Sequence, residues 1–198
     1  MLVSADMAEL VRVLRAGGVV ACPTETFVGL LADARNPQAV ERVRALKGRA
    51  DDNPIGVLVP DLSTLDQLVS DLPAPARALA ARHWPGPLTL LLHVRPGLPA
   101  ALHKDGKLAA RVPGASPALE LVRAFGGALT ATSANKTGEP AASSSEQVAA
   151  IFGSQLDALV PGVSPGGLPS TLLDITRDPF VVLRQGPIVV DVAGAPSP

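Results

Sequence analysis

The chain has 198 residues, with 17 Lys and Arg against 18 Asp and Glu, and it is 47% hydrophobic, 18% charged and 3% aromatic. That is the composition of a globular domain, long enough to bury roughly 70% of its unfolded surface without disulfides or metals. A formal net charge of −1 excludes binding nucleic acid by bulk electrostatics, the few aromatics argue against single-strand stacking, and lone Cys22 excludes a disulfide framework or Cys-based zinc site.

No basic segment followed by an apolar core opens the sequence, and no apolar run approaches the ~20 residues of a membrane span. A cytoplasmic protein without membrane contact is expected. Gly and Pro are over-represented, at 18 and 20 residues, but follow no strict period.

In chain order, Asp6-Met7-Ala8-Glu9 reads as a capping box. It opens a helix whose Met7, Leu10, Val11 and Leu14 share a face and which Gly17-Gly18 stops. Gly18 to Cys22 is a short buried strand ended by Pro23. Asn36-Pro37 caps a second helix that closes near Lys47-Gly48. Ile55 to Val59 reads as a strand, followed by helices from Ser63 and from Pro75 to Trp84. Strands are expected at Leu88 to Val94 and Leu108 to Val112, a helix at Ser116 to Phe125, a strand at Gly127 to Ala131 and a helix at Ser144 to Phe152. From Leu156 the chain is strand-like, with runs at Thr171 to Ile175, Phe180 to Leu183 and Ile188 to Val192. Early alternation and late crowding of strands predict an α/β (α+β) fold on a mixed sheet rather than a purely parallel one. Residues 1–190 are expected to form a single domain, with 191–198 as a flexible tail.

Several familiar motifs fail. Neither a P-loop nor G-x-G-x-x-G is present, and His83, His93 and His103 have no metal-ligand spacing, so no protein-held metal is expected. Gly162-Val163-Ser164-Pro165-Gly166 fits the pattern of a hydrolase nucleophile elbow. Pro165 has no N–H for an oxyanion hole and no helix pattern follows, so the segment reads as a Pro/Gly turn.

Four polar features remain. Pro23-Thr24-Glu25-Thr26 follows a buried strand, where open sheets bind ligands, although the same residues also suit a turn cap. Lys47-Gly48-Arg49, continuing to Asn53-Pro54, suits either an anion or the end of a helix dipole. Thr130 to Asn135, with Thr137-Gly138, supplies neutral donors and acceptors or a set of side-chain turns. Arg111 is the one charge in an apolar strand and calls for an anionic partner, a ligand or a salt bridge.

The order and wording of these blocks resemble the YrdC-type threonylcarbamoyl-AMP synthase family. The matching pieces are Pro23 to Thr26 with Gly29-Leu30, Lys47-Gly48-Arg49, Trp84 to Thr89, Arg111-Val112-Pro113, Thr132 to Asn135 with Gly138-Glu139-Pro140, Ser170-Thr171, and Leu183 to Gly186. The resemblance implies a twisted, open, mixed sheet flanked by helices, with a large concave cavity. It also implies an activity: L-threonine, bicarbonate and ATP, with Mg²⁺ on the phosphates, give L-threonylcarbamoyladenylate and pyrophosphate. The product would serve threonylcarbamoyladenosine modification of tRNA.

By that resemblance, Lys47, Arg49, Ser133 and Asn135 form the catalytic polar cluster. Threonine would meet Thr26, Arg111, Ser133 and Ser170. ATP would meet Lys47, Arg49, Asn53, Asn135, Ser143 and Arg184. Attack of the amine on bicarbonate or CO₂, then of carbamate oxygen on the α-phosphate, needs positioning and charge compensation rather than a covalent nucleophile.

Three features depart from the family pattern. Val28 replaces the aromatic before the Gly of Y-G-L, with Phe27 one residue earlier. Leu58 stands where many longer members carry a threonine-binding histidine. Those members also carry a further C-terminal domain, so a short single-domain form is expected, reliant on threonylcarbamoyl-transfer proteins and holding tRNA weakly if at all. The alternatives are a paralogue of the same fold with an altered substrate, and an RNA-binding module.

Overall fold

The computed structural model describes residues 1–48 and 54–190. Arg49 and Asn53, and the tail 191–198, lie outside the described residues. In chain order the elements are β1 (Leu2–Val3), α1 (Met7–Arg15), β2 (Val20–Pro23), β3 (Val28–Leu31), α2 (Pro37–Lys47), β4 (Gly56–Leu58), α3 (Leu62–Asp66), α4 (Ala74–His83) and β5 (Leu88–His93). There follow β6 (His103–Lys104), β7 (Lys107–Arg111), α5 (Pro117–Phe125), β8 (Leu129–Ser133), α6 (Ser145–Phe152), β9 (Ala158–Leu159), β10 (Thr171–Asp174) and β11 (Val181–Arg184).

The strands join in one mixed sheet in the order β1-β9-β2-β3-β8-β4-β7-β5-β10-β11, with β6 pairing β7. Parallel pairs (β4 with β7, β5 with β10) interleave with antiparallel ones (β2 with β3, β4 with β8). Helices α1 and α5 pack on each other and against β2, where α6 also packs.

Alternation along the central strands divides the sheet into two chemistries. On β5, Leu88, Leu90 and Leu92 are fully buried in the core, while Thr89 and Leu91 face a cavity. On β7, Leu108 and Ala110 enter the core, and Lys107, Ala109 and Arg111 face the cavity. Successive side chains of a strand point to opposite faces, so one face packs into the core and the other lines the cavity.

Local chemistry sets the helix ends. Asp6 caps α1 by accepting from the N–H groups of Ala8 and Glu9. The reciprocal half of the expected box does not form there. Glu9 instead accepts from the Ser4 hydroxyl, which accepts from the Asp6 N–H. A full box forms at α6, between Ser144 and Gln147. Helix α2 is capped by Asn36 and stops at Gly48, whose φ of 57° suits a residue without Cβ.

The strands differ from expectation in several places. Val28 to Leu31 forms β3, a hairpin partner of β2. β8 begins and ends two residues later than Gly127 to Ala131, so Thr132 and Ser133 are strand rather than loop. Ile188 to Val190 is not a strand, and the remainder of that expected run, Asp191-Val192, lies outside the described residues. Around Ile188 the backbone is tied to one buried hydroxyl: Thr171 Oγ1 accepts from the N–H groups of Gly186 and Ile188 and donates to the Ile188 carbonyl.

A second buried hydroxyl joins β3 to β8. Thr130 Oγ1 accepts from Ala32 N–H at 2.9 Å and donates to the Leu30 carbonyl at 2.9 Å. Thr130→Val keeps the shape, leaves the Ala32 N–H without this acceptor and removes one donor from the Leu30 carbonyl, so urea unfolding is expected to show a loss of about 1–3 kcal/mol. An unchanged midpoint would rule out that stitch.

Candidate substrate cavity

The face of the sheet that carries Thr89, Lys107 and Arg111 floors a cavity of about 640 Å³. Its size is that of a small-molecule or cofactor site. Among the described residues its lining carries five cations, Lys47, Lys104, Lys107, Arg111 and Arg184, and one carboxylate, Asp105.

Register separates these charges into two poles. Arg111, the last residue of β7, lies beside Thr89 of β5, one step beyond the Leu90–Ala110 pair. Thr89 Oγ1 lies 2.8 Å from Ser170 Oγ. Arg184 donates from Nε and Nη2 to the Ser170 carbonyl at 3.0 and 2.9 Å and from Nη2 to Ser170 Oγ at 3.2 Å. Gly186 makes this turn possible, since a Cβ there would overlap Pro169 O and Thr171 N. Burial is the main influence lowering the pKa of Arg111, opposed by Glu25 and reinforced by neighbouring Arg184; burial also lowers that of Arg184. A buried Arg111 and a more exposed Arg184 thus share one end of the cavity, an arrangement that favours an anion.

The other pole lies four residues back along β7, ~13 Å away at the rise of a strand. There Lys47, the last residue of α2 and 5% exposed, donates from Nζ to the Ser133 carbonyl at 2.6 Å and to Asn135 Oδ1 at 2.7 Å. Ser133 Oγ donates to the same Oδ1 at 2.5 Å, and Asn135 Nδ2 donates to the carbonyls of Lys136 and Glu139. Because β8 is antiparallel to β4 and β4 parallel to β7, Ser133 lies toward the Lys107 end. Lys104 and Lys107 flank an Asp105-Gly106 hairpin turn with φ of 52° and 70°.

Of the residues singled out from the sequence, Thr26, Lys47, Arg111, Ser133, Asn135, Ser170 and Arg184 all line the cavity. Ser143 is outside the lining; its N–H and hydroxyl donate to Gln147 Oε1. Arg49 and Asn53 are outside the described residues. Sequence reasoning missed the binding-face lysines 104 and 107, although Asp-Gly between two short polar runs is a hairpin signal. Val28, Leu58 and Phe27 all line the cavity, so both departures from the family pattern put apolar surface on its wall.

Ser164 is no nucleophile. It is 2% exposed, its Oγ accepts from Thr24 N–H at 3.2 Å, and the Gly166 N–H binds the Thr26 carbonyl at 2.7 Å. The Pro/Gly turn therefore braces the Thr24–Thr26 wall. Thr24 Oγ1 adds to that wall by donating to the Phe27 carbonyl at 2.7 Å.

Comparison with known proteins gives a consistent picture. A family model covering Sua5, YciO and YrdC proteins, described as telomere recombination, matches residues 12–186. The threonylcarbamoyl-AMP synthase of Bacillus subtilis is 38% identical over 186 residues, which is 92% of this chain and 54% of that protein. Sua5 of Pyrococcus abyssi, whose structure was solved with L-threonine, superposes with a TM-score of 0.87 at 35% identity, over 91% of this chain and 54% of its own. YciO of Escherichia coli superposes with a TM-score of 0.85 at 26% identity, over 94% of this chain and 91% of its own. The chain thus spans about half the length of the first two.

Beside the lysine pole, Asp174 is buried and holds Lys107 at 3.3 Å, Arg177 at 3.1 Å and the Thr176 hydroxyl at 2.6 Å. Burial pushes its pKa up, but the Thr176 and Lys107 contacts outweigh this and leave it below the usual carboxylate value. A depressed folded pKa stabilises the fold above the unfolded value of ~3.9 and loses that contribution as pH falls through the lower folded value. Asp174→Asn is therefore expected to lose about 1–3 kcal/mol at pH 7, with the gap to the parent closing in acid. Denaturant melts at several pH values check this.

Proposed function

The chain belongs to the Sua5/YciO/YrdC family, and we propose that it is an L-threonylcarbamoyladenylate synthase, making the adenylate and pyrophosphate from L-threonine, bicarbonate and ATP. The observation that carries this reading is the cavity with two cationic poles, one built around Arg111 and the other around Lys47, Ser133 and Asn135. A substrate set that brings a carboxylate, bicarbonate and a triphosphate into one space needs separated positive centres.

Arg111 presents a planar fork suited to the threonine carboxylate, with Ser170 and Thr26 beside it. The threonine amine attacks the carbon of bicarbonate or of CO₂ derived from it. The N–C bond of a carbamate forms and, from bicarbonate, water leaves. A carbamate oxygen then attacks the α-phosphorus, the bond to the β-phosphate oxygen breaks, and pyrophosphate departs. Lys47, braced by Ser133 and Asn135, offsets the charge that gathers on the phosphates from one pole and Arg184 from the other, and the family resemblance adds Arg49 and Asn53 to the nucleotide set. Attack in line requires positioning more than a nucleophilic side chain.

Mg²⁺ enters as part of the nucleotide. Among the described residues no group of three or more His, Cys, Asp or Glu could cage it. Such a cation would come bound to the nucleotide and supply further charge compensation there, with Asp105 the one carboxylate of the described lining that could face it. In the further reading, the adenylate passes to threonylcarbamoyl-transfer proteins that modify tRNA in the cytoplasm. No helix among the described residues is long and apolar enough to cross a membrane.

The test is incubation with ATP, Mg²⁺, bicarbonate and L-threonine, followed by mass spectrometry for threonylcarbamoyladenylate. Pyrophosphate release is expected to depend on threonine. Lys47→Ala and Arg111→Ala are each expected to lower it 10²–10³-fold, the loss typical of one stabilising contact to developing charge. Full activity in either variant, or threonine-independent release, would sink the assignment.

A further inference from the structure

The reaction above leaves one acidic side chain without a task. Glu25 sits in the turn between β2 and β3, with cavity-lining Thr24 and Thr26 on either side, but does not itself belong to the lining. Both its carboxylate oxygens are shielded from solvent and accept no hydrogen bond. Oε1 nevertheless lies 3.1 Å from Arg111 Nη1, a charge contact without hydrogen-bond alignment. A shielded carboxylate without donors is costly unless a nearby cation compensates it. Space is kept for it: a Cβ on Gly114, three residues past Arg111, would come within 2.8 Å of Glu25 Cγ.

The guanidinium of Arg111 thus has two sides. Nη1 meets Glu25 behind the wall, and the side chain faces the cavity. Its five N–H groups form a rigid planar fork, so fixing one corner fixes the direction of the rest. We infer that Glu25 is a positioning residue, which pins Arg111 from behind the cavity wall so that its free edge meets the carboxylate of the amino-acid substrate. This rests on the reading of Arg111 as the carboxylate grip. Glu25 acts through Arg111 and touches no substrate atom.

The experiment is calorimetric titration of wild type, Glu25→Ala and Glu25→Gln with three ligands: L-threonine, 2,3-dihydroxybutanoate (its analogue with hydroxyl in place of ammonium) and ATP. Glu25→Ala is expected to weaken threonine and the hydroxy acid alike by about tenfold or more, the scale of loss when a binding group is misplaced. ATP affinity stays within twofold. Glu25→Gln keeps the side-chain volume and a partly negative carbonyl oxygen beside Nη1 and is expected to recover part of the loss. Thermal melts identify a variant that fails to fold, and Glu25→Gln then serves as the test, with the same shared loss at smaller size.

Threonine binding unchanged or tightened in the folded variants would overturn the inference. So would a loss confined to threonine, since that marks direct contact with the ammonium, and so would a wild type that binds no threonine. Pyrophosphate release by wild type is read separately. If it proves independent of threonine while the calorimetric pattern holds, the synthase reading falls and the role of Glu25 stands.

Discussion

Positive charge held away from water is the condition around which this molecule is arranged. Arg111, 8% exposed, shares one end of a cavity with the more exposed Arg184, and loss of solvent disfavours the charge of each. Lys47, 5% exposed, lies at the other end. Such groups persist only where fixed oxygens answer them. The fold supplies those oxygens from elements distant in sequence: the Ser133 carbonyl and Asn135 amide for Lys47, the Glu25 carboxylate for Arg111, the Ser170 carbonyl for Arg184 and Asp174 for Lys107. For Lys47 and Arg184 these oxygens are neutral, so the positive charge stays uncancelled by them, and an anion entering the cavity meets a field directed at it.

Alternation along strands makes this compatible with a stable core. Leu108 and Ala110 pack on one face of β7 while Lys107 and Arg111 stand on the other. A one-residue slip would bury the cations in hydrocarbon and send the leucine into the cavity. The apolar residues that stabilise the sheet therefore also fix where its charges point.

Much of this was readable from residue order. Asn36-Pro37 and Lys47-Gly48 mark the ends of α2 through local capping chemistry, and the lone arginine among apolar neighbours marks Arg111. The ordered motif blocks led to the cavity residues. Other features depend on pairing that no local pattern carries. β3 is only four residues long and begins just after a turn rich in hydroxyls, so its strand character comes from β2 and β8. The late start of β8 and the lack of a strand at Ile188 to Val190 are likewise set by partners, the latter by the hydroxyl of Thr171. Glu25 read as part of a motif, but its partner stands 86 positions further along the chain and nothing near it in sequence announces the pair.

The brace between Thr24 and Ser164 joins residues 140 positions apart. Lys47 meets Asn135 across 88, and Thr89 meets Ser170 across 81. Contacts of such span carry loop-closure entropy and slow folding. During synthesis, then, the N-terminal helices and the β2–β3 hairpin emerge long before the segments that complete the cavity wall. Lys47 waits for residues near 135 and Arg111 for those near 170 and 184, and until they have left the ribosome the growing chain carries the charges of the cavity without the enclosure that gives them effect.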